Sequence, residues 1–308
     1  MAIAEQTPPT GGPKRELVWS AVDEALGEAL PGSIDDHRWL LIQTIVSAAQ
    51  RRALLGSLTV RPRQRVLDLG CGFGAATLEL AALGELRVVG LDSDRDVLTA
   101  ARRISETVGL RVGLPSGSTT FSSGDVYSIP FPNGSFDVVY SRFVFQHLEH
   151  PELAASEVAR VLAPGGTACI VDVDDGLSIS EPPPSAAFER LGSALRSLQT
   201  ARGGDRYIGR RLAGLLARHG MTPGAVIVIP QAAYHRPAPA GPERSLMLER
   251  LRSRRAEITD GGYLSVEEFD SSLADFASED PAPTCDIEAH LAVFATKHGA
   301  AVHADWSM

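Results

Sequence analysis

Arg65-Val-Leu-Asp-Leu-Gly-Cys-Gly-Phe-Gly74 runs without interruption from a short apolar segment into glycines at 70, 72 and 74, and Ala75 to Leu83 continues with helical apolar spacing. The pattern predicts a buried strand, a tight turn and a helix packed behind both. Glycine takes backbone dihedrals closed to other residues and lets a ligand approach the main chain closely. The turn also opens a helix N-terminus, whose free amides favour anionic groups. Gly70, Gly72 and Ala75 approximate the G-x-G-x-x-A form, so the turn by itself suits a dinucleotide as well.

Outward from this turn, strands and helices alternate. Leu86 to Asp92 predicts a second strand and Asp94 to Val108 a helix. A Gly/Pro/Ser loop, Gly109 to Ser118, leads to a third strand at Thr119 to Ser122. Phe136 to Ser141 predicts the fourth strand and Pro151 to Leu162 a helix. Pro164-Gly165-Gly166 turns into a fifth strand, Thr167 to Asp172. This rhythm indicates a doubly wound, mainly parallel sheet whose ligands sit beyond the C-terminal strand ends. Before it, Arg15 to Leu30 and His37 to Leu55 read as helices, with a stop at Pro31-Gly32 and a cap region at Ser33 to Asp36.

After Asp172 the rhythm changes. Glu181-Pro-Pro-Pro184 is a linker signal. Helical stretches are expected at Ser185 to Thr200, Gly209 to His219, Glu243 to Ile258 and Ser265 to Phe276, with strands at Ala225 to Ile229 and Ala289 to Thr296. The expected organisation is a disordered tail (1–13), N-terminal lid helices (14–60), a cofactor-binding core (61–177), helical lid insertions (178–219 and 231–286) and final core strands (220–230 and 287–298).

Composition narrows the functional classes. The 308 residues carry 29 Lys+Arg against 38 Asp+Glu, a net charge of −9, and 44% are apolar. An acidic chain lacks the basic surface that nucleic-acid binding needs, and the run Arg250 to Arg255 reads as a solvated helix face. No apolar run reaches transmembrane length, and Met1 to Pro13 lacks the apolar stretch of a secretion signal. Cys71, Cys169 and Cys285 are odd in number and far apart, which suits a reducing cytoplasm rather than a disulfide framework or a zinc site. No metal site is expected: His147 and His150 stand three apart without a third ligand at suitable spacing.

Two carboxylates give the turn a context. Asp92 ends the second strand, 92 − 70 = 22 residues past the first glycine, where it can accept both hydroxyls of a ribose. Asp94, just before the helix, is the better helix cap. Asp125, in Ser123-Gly124-Asp125-Val126, can accept from an adenine amino group while the Val126 amide serves a ring nitrogen; the alternative for a lone loop aspartate is an ordinary turn residue.

Taken in order, Val66-Leu-Asp-Leu-Gly-Cys-Gly-Phe-Gly, Val89-Gly-Leu-Asp92, Gly124-Asp125 with Pro130-Phe131, Phe136-Asp-Val-Val and Arg160-Val-Leu-Ala-Pro-Gly-Gly166 resemble the successive motifs of class I S-adenosylmethionine-dependent methyltransferases. Within these, the chain is similar to the small-molecule branch that includes ubiquinone and sterol enzymes. The resemblance spans about Arg61 to Asp172. It implies an α/β, Rossmann-like, seven-stranded sheet with an antiparallel last strand and a helical lid. It also implies S-adenosylmethionine as cofactor, S-adenosylhomocysteine as product, and a small organic acceptor methylated at O, N or C.

Carried over by position, Gly70, Cys71, Gly72 and Gly74 would lie along the methionine portion, with Asp68 ordering its ammonium end. Asp92 and Ser93 would serve the ribose, Asp125 and Val126 the adenine. Ser141 and Arg142 would line the pocket through their backbone. His147 is the candidate base, because imidazole titrates near neutrality and the residue follows strand four; shaping the pocket is the alternative role. Tyr207 and Arg211, with Arg210, and Tyr234 beside His235 are the candidate acceptor contacts, against a plainer role in lid packing. Trp39 and Phe145 read as packing residues. A homodimer joined through the N-terminal helices is a further expectation. The competing functions are a non-methylating cyclase that binds the same sulfonium and a NAD-dependent oxidoreductase.

Overall fold

The strand entering the glycine turn, β1 (Arg65–Leu69), lies at the centre of an eight-stranded sheet. The computed structural model describes residues 15–30, 37–235, 242–279 and 284–298. The expected tail at 1–13, the stop at Pro31-Gly32 and the cap region at 33–36 lie outside these residues. Ahead of β1 come α1 (Arg15–Ala29), α2 (Arg38–Val46) and α3 (Ala48–Leu55). The single helix expected from His37 to Leu55 is therefore two, broken at Ser47, whose hydroxyl bonds back to the Gln43 carbonyl at 2.6 Å. A serine hydroxyl on the carbonyl four residues back favours such a bend.

The core follows the predicted alternation: α4 (Ala75–Ala81), β2 (Arg87–Asp92), α5 (Arg95–Val112), β3 (Thr119–Ser123), β4 (Phe136–Arg142), α6 (Pro151–Val161) and β5 (Leu162–Val173). Asp94 caps α5, its carboxylate accepting from the Asp96 and Val97 amides, a contact of about 1 kcal/mol. That helix runs on to Val112 and ends at left-handed Gly113, absorbing part of the expected loop. Strands β3, β2, β1, β4 and β5 pair in parallel, with Leu67 between Val89 and Val139. The Pro164-Gly165-Gly166 corner lies inside β5, where the register with β4 shifts.

The remainder is β6 (Ile179–Glu181), α7 (Ala186–Ala201), α8 (Leu212–Arg218), β7 (Met221–His235), α9 (Pro242–Ser253), α10 (Arg255–Asp260), α11 (Val266–Ser278) and β8 (Thr284–Lys297). β8 is antiparallel to β5 and to β7, which forms the outer edge. The three-residue β6 joins the seven expected strands. It pairs with Cys285 to Ile287 of β8, directly beyond the His290 to Thr296 segment that pairs with β5. β5 and β6 are thus two pieces of one line, interrupted where residues 174–178 step out of the sheet.

Two expected boundaries change. Residues 231–235 and 284–286 belong to the β7–β8 hairpin and not to a helical insertion, because their backbones pair across it. α8 is no part of a lid: Leu212, Leu215 and Leu216 are buried against Val139 and Ile170 in the core on one sheet face. On the other face Leu54, Leu55, Ala76 and Leu80 cover Val66, Val138 and Tyr140. A separate small core joins α7, α9, α10 and α11 through Leu191, Leu198, Leu251, Ile258, Phe269 and Phe276. Burial of such side chains contributes about 1.5–3 kcal/mol each. This helical unit meets α2 through the Arg38–Glu249 ion pair at 3.0 Å.

Candidate functional site

A cleft of about 670 Å³ opens where β1, β2 and β4 end, between the sheet and the helices α2 and α9. It brings together Asp68, Gly70, Cys71, Gly72, Asp92, Ser93, Asp125, Val126, Arg142 and His147. Gly74 caps α4 from behind the turn, and Ser141 is buried beneath it, donating to the Leu69 carbonyl at 2.9 Å.

The three glycines serve different needs. All have positive φ, between 52° and 77°. A Cβ on Gly70 would strike the Val144 side chain, and one on Gly74 would come within 2.7 Å of the Phe121 ring. Those two are required by packing within the protein. A Cβ on Gly72 would find only Leu40, at 3.9 Å, so that backbone faces the cleft and is the one a ligand can approach.

Asp92 is oriented by this turn. Its Oδ2 accepts from the Gly72 amide at 2.8 Å and its Oδ1 from the Asp94 amide at 3.0 Å. Each oxygen keeps a lone pair for a further donor. Asp125 accepts from the Tyr127 amide at 2.9 Å, an Asx turn within the cleft wall. Asp68 is 2% exposed and accepts from the Thr77 hydroxyl at 2.6 Å. Burial raises its pKa to about 7, with the neighbouring Asp92 adding to the rise and Thr77 and Arg51 opposing it. Beneath the cleft, Arg51 is held by Glu79 through Nε at 2.6 Å and Nη2 at 2.9 Å; both are almost fully buried.

Arg142 enters with its side chain as well as its backbone. It donates to Ser47 Oγ at 3.2 Å and stacks over Phe143 at 3.8 Å. Its Nη2, like the Tyr140 hydroxyl, is buried without a hydrogen-bond partner in the structure. Burial lowers the Arg142 pKa to about 10. Buried polar groups normally find partners, and among the described residues these two, on one β4 face at the cleft, have none.

At the other end of the cleft stand Gln146, His147, Arg206, Arg250 and Arg254. Gln146 is fixed on three sides: its amide donates to Asp172 at 3.1 Å, its carbonyl accepts from Gln199 at 2.9 Å, and its side-chain oxygen accepts from Arg206 at 2.7 Å. His147 is pushed down to about 4, first by burial and then by Arg250, Arg206 and Arg254. Its Nδ1 lies 3.4 Å from Gln199 Nε2. That amide nitrogen has nearer acceptors in the Gln146 carbonyl at 2.9 Å and side-chain oxygen at 3.3 Å, so the neutral imidazole keeps one donor and one acceptor nitrogen at the cleft.

The expected acceptor contacts do not gather here. Tyr207 is 43% exposed and, with Arg211, borders a separate shallow pocket. Arg211 is tied to Asp205 at 2.5 Å, and Arg210 to Asp174. Tyr234 lies within β7, paired with Cys285, rather than in a loop after it. Sequence reasoning assigned the Arg250–Arg255 run to solvent, yet Arg250 and Arg254 face the cleft. Trp39 lines it too, beneath Arg250 at 5.4 Å. Among the described residues no group of three His, Cys, Asp or Glu gathers to hold a metal ion, and no helix is long and apolar enough to cross a membrane.

Comparison with known proteins agrees with this geometry. Residues 67–170 match the family described as a methyltransferase domain. The chain is 32% identical over 227 residues to an uncharacterized 37.1 kDa protein in a transposon of Streptomyces fradiae, covering 73% of this chain and 61% of that protein. It is 36% identical over 140 residues to demethylmenaquinone methyltransferase of Thermus thermophilus, covering 45% of this chain and 57% of the enzyme. The chain thus spans between half and three-fifths of the length of the first curated relatives it matches. Among solved structures it is similar to a methyltransferase-like protein of Bacillus halodurans, with a TM-score of 0.54 at 19% identity, covering 80% of this chain and 98% of that one. That likeness establishes the fold.

Proposed function

We propose, from the match of residues 67–170 to the methyltransferase-domain family, that the whole protein transfers a methyl group from S-adenosylmethionine to a small organic acceptor. The observation that carries this reading is the double-anchored carboxylate of Asp92 beside the open Gly72 backbone. The donor set fits the cofactor: a carboxylate for ribose hydroxyls, a backbone without an obstructing Cβ, and buried unpaired donors on β4. Asp92 and Ser93 would hold the ribose, Asp125 and Val126 the adenine, and Gly70 to Gly72 the methionine stretch. Asp68 would face the ammonium group, and Arg142 and Tyr140 supply unpaired polar atoms for its carboxylate.

When bound, S-adenosylmethionine supplies an already activated methyl group. The chain therefore has three tasks: to hold the acceptor in line, exclude water and provide polar contacts at the acceptor atom. α2 and α9 close over the cleft and perform the second. His147, lowered to about 4, is neutral at neutral pH and a weak base, which suits positioning the acceptor better than removing its proton.

The described surface leaves the homodimer expectation as part of this proposal, with the N-terminal helices as its contact. Calorimetric titration with S-adenosylhomocysteine against NAD tests the reading. Binding of S-adenosylhomocysteine supports it, and binding of NAD alone overturns it.

A further inference from the structure

The cleft is electrically bipolar. Asp68, Asp92 and Asp125 stand at one end and Arg206, Arg250 and Arg254 at the other. Two of the three arginines already have carboxylate partners, Arg206 one of its own and Arg254 one that it shares. Arg206 is clasped by Asp175 through Nε and Nη2, at 2.7 to 3.1 Å. Arg254 meets Glu257 at 2.8 Å, a carboxylate that also takes Arg202. Arg250 differs: among the described residues it forms no ion pair and no side-chain hydrogen bond, and its one ordered contact is the Trp39 ring. It is partly buried in the cleft wall, and burial, then the charges of Arg206 and Arg254, lower its pKa to about 10 against the opposing charge of Asp175. The adjacent His147 adds no positive charge at neutral pH.

A desolvated guanidinium with no anion is costly, and a ligand that brings one relieves the cost. Its planar fork matches a carboxylate through two parallel hydrogen bonds. Arg206 and Arg254 each have a carboxylate partner and Arg250 has none among the described residues, so Arg250 is the guanidinium left for a ligand's anion.

We propose that this end of the cleft is a carboxylate site: the acceptor is an organic acid whose carboxylate binds Arg250, between the carboxylate-paired Arg206 and Arg254. This rests on the methyl-transfer reading for the word acceptor, while the anion site itself stands on the arginine geometry alone. It also places acid recognition on α9 rather than on Tyr207 and Arg211.

The test is calorimetric titration of the full chain with benzoate and with its neutral counterpart benzamide, at constant ionic strength, with and without saturating S-adenosylhomocysteine. Benzoate should bind at least about tenfold tighter than benzamide. Arg250→Gln should weaken benzoate about tenfold, and Arg254→Gln by about threefold or less because its guanidinium is already engaged by Glu257. Affinity for S-adenosylhomocysteine should stay within about twofold in both variants, which also certifies their folding. Equal binding of benzoate and benzamide, or undiminished benzoate binding by a folded Arg250→Gln variant, overturns the proposal. Benzoate discrimination without any binding of S-adenosylhomocysteine upholds the anion site and overturns the methyl-transfer reading; the converse result does the reverse.

Discussion

Asp92 and Gly72 are joined by a 2.8 Å hydrogen bond from the glycine amide to the carboxylate, so the end of β2 holds the shape of the turn that follows β1. One residue thereby fixes the turn and presents an acceptor to the cleft. Asp92→Ala would remove both functions and leave the Gly72 amide without its partner. Asp92→Asn keeps one carbonyl oxygen and separates them. We expect Asp92→Asn to weaken S-adenosylhomocysteine about tenfold or more, since a hydrogen bond to a charged group is worth about 1.5–3 kcal/mol. It should lower the urea midpoint less than Asp92→Ala does, because its one oxygen still serves one of the two backbone amides. Unchanged affinity by calorimetry would remove Asp92 from the ribose contact.

Asp68 makes cofactor affinity depend on pH. Its folded pKa, raised to about 7 by burial, leaves it largely protonated below neutrality. A cationic ammonium beside it favours the ionised form, so binding should release a proton in mildly acid solution. Affinity for S-adenosylhomocysteine should therefore rise between pH 6 and 8, and the rise should vanish in Asp68→Asn. A pH-independent wild-type affinity would contradict the contact.

His147 should not appear as a base in the rate profile. Its ring is neutral above about pH 4, lowered chiefly by burial. We expect no inflection near 6.5 in kcat/KM that His147→Gln abolishes, and a modest fall in kcat for that variant, of about tenfold. An inflection near 6.5 lost on substitution would restore the histidine as a proton acceptor.

The buried Arg51–Glu79 pair, which Arg52 joins at 2.8 Å, predicts a large stability effect. Glu79→Gln leaves a buried guanidinium without its counter-charge and should cost about 3 kcal/mol. Urea unfolding measures it, and a loss below about 1 kcal/mol would show that solvent reaches the pair.

Stability against pH should be nearly flat between about pH 4 and 6.5, because opposing groups titrate there. Burial raises Asp68 and Asp172 to about 7, so their contribution is full below the unfolded carboxyl value and lost as pH rises through 7. Burial lowers His147 and His290 to about 4, so theirs is present above 6.5 and lost as pH falls through 4. Asp172→Asn removes one rising-pH loss, and the variant should gain on wild type by about 1 kcal/mol per pH unit across this window. A constant difference would show that Asp172 is ionised throughout.

The cofactor half of the site was legible because it is local. Asp68, Gly72, Asp92 and Asp125 sit at strand ends, and strand periodicity alone brings successive strand ends to one edge of a parallel sheet. The acceptor half was not. Arg250 stands on a helix whose charge run looks like a solvated face, and only the docking of α9 on α2 turns it inward. Arg206 was passed over for its neighbours Tyr207 and Arg211, since nothing local says which of several adjacent polar residues faces a cavity. The helix break at Ser47 and the true length of the β7–β8 hairpin likewise depend on contacts made far along the chain.

The break between β5 and β6 has a consequence for how such a protein can diversify. Residues 174–178 hang from two strand pieces that β8 grips independently, and Asp175, within this detour, clasps Arg206 at the acceptor end of the cleft. Changes in length or charge there would move that arginine without disturbing sheet register or any residue at the ribose end. The detour is a tuning point: on the proposed reading, acceptor preference would drift through it while the Asp92 end of the cleft is inherited intact.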